Sequence, residues 1–152
     1  MASYFSSGIP HAISLTKRAS RQGPGIALDT CILIIDNDRA VSVALSFMLG
    51  VRGYDEVRSV RSAARALVIA ENFNPGIVFL DIDQATADPL DLAKQLRRGS
   101  RQSALRLIAL TSTVDHPLRE DARQAGFERF LVKPCEQAEV DKILRLPADN
   151  AA

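Results

Sequence analysis

Asp36, Asp81, Thr111 and Lys133 each follow a short apolar run, and they are the residues through which this 152-residue chain could do chemistry. Around them the chain reads Asp36-Asn37-Asp38, Asp81-Ile82-Asp83, Thr111-Ser112 and Lys133-Pro134. Taken singly these mean little. An Asp after a strand commonly caps the next helix, and a lone Lys or Thr is ordinarily solvated. Taken together, at separations of 45, 30 and 22 residues, they put carboxylates, a hydroxyl and an ammonium on one rim if the runs are strands of one sheet. Two carboxylates about 4 Å apart repel by on the order of 4 kcal/mol at an effective dielectric of roughly 20. A hard cation among them offsets that cost, and oxygen ligands with retained waters suit Mg2+.

The elements that must position these groups can be read from the apolar pattern. Cys31–Ile35 is a short apolar strand. Arg39–Val51 carries Val41, Leu45, Met48 and Leu49 at helical spacing and stops at Gly53. Tyr54–Val60 is a weaker, mixed strand of the kind found at a sheet edge. Ser62 can cap a helix bearing Ala63, Ala66, Leu67 and Ala70 on one face, which Asn74-Pro75-Gly76 ends. Ile77–Leu80 is a buried-type strand. Pro89 opens a helix over Leu90–Arg97, ended by Gly99. Leu105–Leu110 is the next strand. Val114, Leu118, Ala122 and Ala125 mark a helix stripe closed by Gly126, Phe130–Val132 is a short strand, and Glu136–Leu146 is a last helix with Val140, Ile143 and Leu144 inward. Strands alternating with helices imply an α/β fold with a parallel sheet covered on both faces. In such sheets ligands gather beyond the carboxyl ends of the strands, which is where the reactive residues fall.

At this point the sequence resembles the response regulator receiver family. "ILIIDND" is similar to that family's acidic first loop, "VFLDID" to its phosphoacceptor strand, "LIALTS" to its switch strand and "FLVKP" to its Lys-Pro loop, over about residues 30–146. The resemblance implies a flavodoxin-like, doubly wound, five-stranded parallel sheet in the order 2-1-3-4-5 with five helices. It implies Asp81 as the phosphoacceptor, served by Thr111 and Lys133. It implies Mg2+ held by Asp36, Asp81 and the Asp83 backbone carbonyl, with Asn37 acting through a water. Thr111 and Phe130 take the switch positions. The implied partners are a sensor histidine kinase or a histidine phosphotransfer protein, and a downstream protein target reached through a phosphorelay.

Two departures stand out. Asn37 occupies the place of a second acid, which keeps an acceptor but loses a charge; Asp38 could compensate or could simply cap the first helix, the plainer reading. After Asp81 the stretch Ile82-Asp83-Gln84-Ala85-Thr86-Ala87-Asp88-Pro89 has Ala85 and Pro89 where the family has other residues, and Asp83 adds a negative side chain close to the phosphoryl site, expected to alter the lifetime of a phosphoaspartate. A degenerate receiver that works only as a phosphorylation-independent binding module is therefore the alternative. A remoter one is a haloacid dehalogenase-like phosphatase, suggested by Asp81-Ile82-Asp83. That family needs paired acids on a further strand, whereas only isolated Asp141 and Asp149 follow Lys133.

Composition sets the remaining bounds. The chain is 47% hydrophobic and 24% charged with formal charge +1, enough apolar content for one domain and no general pull toward nucleic acid or membrane. Residues 1–28 hold Lys17, Arg18 and Arg21 and no acid. They are expected to be a flexible basic tail, rather than the transit peptide they faintly suggest, ahead of a receiver domain at 29–147 and a tail at 148–152. No apolar run approaches the roughly 20 residues of a membrane span. Cys31 and Cys135 form no disulfide framework and are expected to be reduced, in a cytoplasmic protein that is not an enzyme and is a monomer or weak homodimer. No output domain is expected beyond residue 147. His11 and His116 are expected to be solvated, and so is the basic run Arg97, Arg98, Arg101 and Arg106.

Overall fold

A computed structural model of the chain describes residues 25–83 and 88–146. The tail before residue 25, the loop residues 84–87 with Ala85, the C-terminal tail and His11 lie outside the described residues. The described chain runs β1 (Ile32–Ile35), α1 (Arg39–Val51), β2 (Val57–Val60), α2 (Ala63–Phe73), β3 (Ile77–Asp81), α3 (Pro89–Gly99), β4 (Arg106–Thr111), α4 (Arg119–Gln124), β5 (Phe127–Val132) and α5 (Gln137–Arg145). The strands form one parallel sheet in the order β2-β1-β3-β4-β5. This is the expected topology, with the switch point between β1 and β3.

Alternation along each strand divides the core in two. Ile32, Ile34, Ile77, Phe79, Ile108, Leu110 and Leu131 pack with Leu45 and Leu49 of α1 and Val140, Ile143 and Leu144 of α5. Leu33, Ile35, Val78, Leu80, Leu107 and Ala109 face the other way, onto Ala66, Phe73, Leu92, Leu96 and Ala122. The weak strand β2 is indeed an edge, with Arg58 and Ser59 exposed. Local chemistry sets the helix starts. Asp38 accepts the N–H groups of Ala40 and Val41, Ser62 that of Arg65, and Asp88 those of Leu90 and Asp91, with Pro89 in the first turn. Asp38 is thus the cap of α1. Asn74 closes α2 with φ 46°, a left-handed conformation that Asn tolerates.

Three expectations need correction. The stripe from Val114 to Ala125 is not one helix: α4 covers only Arg119–Gln124, and Val114 is exposed. Pro117 disfavours helical backbone at His116, so the helix starts after it. β5 begins at Phe127 rather than Phe130, and β2 at Val57 rather than Tyr54. Tyr54 is instead a buried plug whose hydroxyl donates to the Ile26 carbonyl at 2.9 Å, while the Ile26 N–H donates to Leu144 at 3.0 Å. The basic run is not one solvated face either. Arg106 is buried in an ion pair with Glu128, and it also reaches the Ile143 carbonyl. Arg97 donates to the carbonyls of Leu105 and Gly126.

α1 and α5 are clipped together by Arg52, whose Nε donates to Asp141 Oδ1 at 2.6 Å, with Gln137 donating to the same oxygen at 2.9 Å. The hydrogen bonds from Arg52 and then Gln137 hold the Asp141 carboxyl below its ordinary pKa. A depressed folded-state pKa stabilises the fold above the ordinary carboxylate range, and that stabilisation is lost as pH falls through the lowered value. Asp141→Asn should therefore have a lower thermal midpoint than the wild type at neutral pH. The gap should close when melting curves are taken at increasingly acid pH.

Candidate functional site

The register of the sheet brings the four strand-end groups together. Ile35 of β1 pairs with Leu80 of β3, so Asp36 and Asp81 leave adjacent strands side by side. Asp81 pairs with Leu110, one residue before Thr111, and Thr111 pairs with Val132, one residue before Lys133. Backbone bonds carry this pairing past the strands: Ile82 N–H donates to Leu110 and Lys133 N–H to Thr111. The Lys133–Pro134 peptide bond is cis.

Asp36 and Thr111 are fully buried and Asp81 is 4% exposed. Lys133 Nζ lies 2.8 Å from Asp36 Oδ2 and 3.3 Å from Asp81 Oδ1. Backbone N–H groups complete these contacts: Asp36 Oδ1 accepts the Asp38 N–H at 2.8 Å, and Asp81 Oδ1, the oxygen that faces the ammonium, also accepts the Asp83 N–H at 2.9 Å. Asp36 Oδ2 is buried with the Lys133 ammonium as its ion-pair neighbour and no further hydrogen-bond donor. Burial pushes the Asp36 carboxyl above its ordinary pKa despite Lys133 and the Asp38 N–H. Burial would lower the pKa of Lys133, but Asp36 and Asp81 outweigh it and hold the ammonium charged.

This donor set fits a divalent cation. A buried carboxylate oxygen whose one polar neighbour is an ammonium stands beside a second carboxylate. Among the described residues no group of three or more His, Cys, Asp or Glu side chains gathers as a metal cluster. A two-carboxylate site suits Mg2+, which keeps several waters and takes few protein ligands, and is unlike the closed four-ligand cage of structural zinc. Asn37 is exposed in the loop after β1, and its backbone carbonyl accepts from Arg61 at 3.2 Å.

The contacts of the Asp83 side chain and the burial of His116 go beyond what the sequence shows. The Asp83 side chain reaches the end of β4, where Oδ1 accepts the Thr111 hydroxyl at 2.8 Å and Oδ2 the Ser112 N–H at 2.6 Å. Burial opposes its ionisation, but the hydrogen bonds from Ser112 and Thr111 outweigh that and lower its pKa. His116 is not solvated. Its side chain is 14% exposed and Nε2 lies 3.3 Å from Asp83 Oδ1. Pro117 was the available signal, since it fixes the turn that carries His116 inward. Phe130 is half-buried on β5, with the Arg119 guanidinium 4.2 Å and that of Arg123 5.8 Å from its ring centre. Cys135 is half-buried against the α1/α5 side of the core.

Comparison with known proteins locates this arrangement. The family model for the response regulator receiver domain matches residues 32–145. A transcriptional regulatory protein, PdtaR of Mycobacterium tuberculosis, is 30% identical over 103 residues, 68% of this chain and 49% of its own length. The chain thus spans about half the length of that curated relative. The chemotaxis protein CheY4 of Vibrio cholerae superposes with a TM-score of 0.69 at 21% identity, covering 77% of this chain and 97% of that one. The receiver domain of the sensor histidine kinase PA1611 of Pseudomonas aeruginosa, solved with a magnesium ion coordinated in its active site cleft, has a TM-score of 0.65 and 26% identity over 77% of this chain and 95% of its own.

Proposed function

Because the chain belongs to the response regulator receiver domain family, we propose that it accepts a phosphoryl group on Asp81 and signals through a protein-binding surface. The observation that carries this reading is the ammonium of Lys133 within 3.3 Å of both buried carboxylates, Asp36 and Asp81. A carboxylate held there is desolvated and close to a fixed positive charge, and the Thr111 hydroxyl is on the neighbouring strand end.

The donor is a phosphohistidine of a histidine kinase or phosphotransfer protein. An Asp81 oxygen forms the new O–P bond as the N–P bond breaks. The electron pair of that bond stays on the imidazole, which takes up a proton from solvent. Positioning and charge neutralisation are what the protein supplies. Mg2+ held by Asp36, Asp81 and the Asp83 backbone carbonyl would neutralise phosphoryl oxygens when bound. Lys133 pairs with one phosphoryl oxygen, Thr111 donates to another, and Ser112 is small enough to leave the approach open. The output surface is the one built by α4, β5 and α5, with Phe130 as the side chain that follows Thr111. A cytoplasmic setting accords with this role, and among the described residues no helix is long and apolar enough to cross a membrane.

Acetyl phosphate and Mg2+, read by intact mass, test the reading: the mass of one phosphoryl group should be gained. No gain, under conditions that label a control receiver, would favour the binding-module alternative. The exposed Asn37 in place of an acid is the observation on that side.

The first helix offers the donor protein a seat. The outward face of α1 carries Val43, Phe47 and Val51, exposed by 59%, 71% and 58%, one helical turn apart. Single exposed apolar residues need no explanation, but a stripe marks an interaction face. This one starts two turns or less from the Asp36 loop. Phe47→Asp should slow transfer from a histidine kinase that labels the wild type by about tenfold or more, the scale of a buried aromatic anchor. Labelling by acetyl phosphate should be unchanged in the same variant.

A further inference from the structure

Asp83 occupies the donors that a phosphoryl group on Asp81 would need. Thr111 Oγ1 has one proton, and its 2.8 Å contact with Asp83 Oδ1 is shorter than its 3.2 Å contact with the Thr113 carbonyl. That proton is therefore directed at Asp83. The Ser112 N–H, the next donor along this rim, is also taken, by Asp83 Oδ2 at 2.6 Å. Neither donor can serve the carboxylate and a phosphoryl oxygen at once with full strength.

The carboxylate is also held from behind. His116 Nδ1 accepts the Leu118 N–H at 3.1 Å. An accepting imidazole nitrogen carries no proton, so the proton of the neutral ring is on Nε2, which faces Asp83 at 3.3 Å. Leu118 is the residue that opens α4. One carboxylate on the β3 side is thus gripped by the end of β4, by the following backbone and by a ring fixed to the start of α4. Against its burial, the hydrogen bonds from Ser112 and Thr111 lower the pKa of Asp83.

We propose that Asp83 is an internal stand-in for the phosphoryl group, which keeps Thr111 and Ser112 engaged in the unphosphorylated protein, with His116 as the positioning residue that holds the carboxylate in place. This rests on the reading of Asp81 as phosphoacceptor. Phosphoryl uptake then requires Asp83 to release both donors, and release also frees His116 and, through Leu118, the start of α4. The latch sets a threshold for activation, and it couples that threshold to the output face.

The test is Asp83→Ala, which removes the carboxylate and leaves the backbone carbonyl. The first readout needs neither metal nor phosphate. In the wild type the short bond to a carboxylate should place the Ser112 amide proton far downfield in a 1H–15N spectrum and slow its exchange. Asp83→Ala should move it upfield, and His116→Ala should move it part of the way. The second readout is a beryllofluoride titration at saturating Mg2+, followed on the Thr111 and Ser112 resonances. Half-saturation should fall about tenfold or more in Asp83→Ala, the scale of one hydrogen bond to a charged group, and less in His116→Ala. Should Asp83→Ala fail to fold, Asp83→Asn keeps an acceptor without the charge and should show a smaller shift in both readouts. A Ser112 resonance that ignores Asp83, or beryllofluoride binding that is equal or weaker in the folded variants, overturns the latch while leaving phosphorylation of the wild type intact. If neither the wild type nor any variant takes beryllofluoride or label from acetyl phosphate, the phosphoacceptor reading fails and the latch fails with it.

Discussion

Asp81→Asn gains no mass from acetyl phosphate and Mg2+ under conditions that label the wild type to completion. The amide oxygen has the size and the acceptor capacity of the carboxylate it replaces, so the Asp83 N–H bond at 2.9 Å is kept, but it lacks the charge that makes a nucleophile. The fold should survive the change. Asp81 is one of two buried carboxylates sharing a single ammonium, and its charge raises the pKa of Asp36. Removing that charge leaves Lys133 with its nearer partner at 2.8 Å and relieves the repulsion. A thermal midpoint equal to or above that of the wild type, measured on the same sample, shows that lost labelling reports lost chemistry. Residual mass gain at another carboxylate would move the acceptor elsewhere and undo the assignment of roles around it.

Phe79→Ala carries the largest stability cost on the rim-bearing strands. Phe79 is 0% exposed and sits in the middle of β3, paired with Ile34 on one side and Ile108 on the other. Truncating a buried Phe costs about 3–5 kcal/mol, against a total stability of about 5–15 kcal/mol for a domain of this kind. Urea denaturation should show the midpoint falling by about a fifth or more with little change in slope. Phe47→Ala is the control. It removes the same side chain from a position that is 71% exposed, and the expected change is within about 0.5 kcal/mol. Equal losses for the two would contradict the burial pattern on which the fold description rests.

Much of this architecture can be read from the chain because the pattern is redundant. Strands buried on both faces are near-continuous apolar runs, so "ILII", "IVFL" and "LIAL" announce themselves, and the residue after each run must emerge at the carboxyl rim. Asp36, Asp81, Thr111 and Lys133 were placed by that logic alone. What escaped depends on distant partners. Arg106 reads as one more surface cation until Glu128, twenty-two residues away, is seen beside it in the core. Asp83 and His116 are 33 positions apart, and nothing local to either says that they meet. The short α4 has a local sign in the chain, since the helical spacing from Val114 to Ala125 crosses Pro117, which disfavours helical backbone at the residue before it.

That truncation has a mechanical meaning. α4 has six residues, and Ala122 is the only one of them that is buried. Sinking one methyl group is worth about 0.8 kcal/mol, and the stacking of Arg119 on Phe130 adds on the order of 1 kcal/mol. The other helices are rooted by two to four buried side chains each. Among the described helices this one is therefore the most loosely rooted, and a small push at the rim can reseat it while its better-anchored neighbours hold their places.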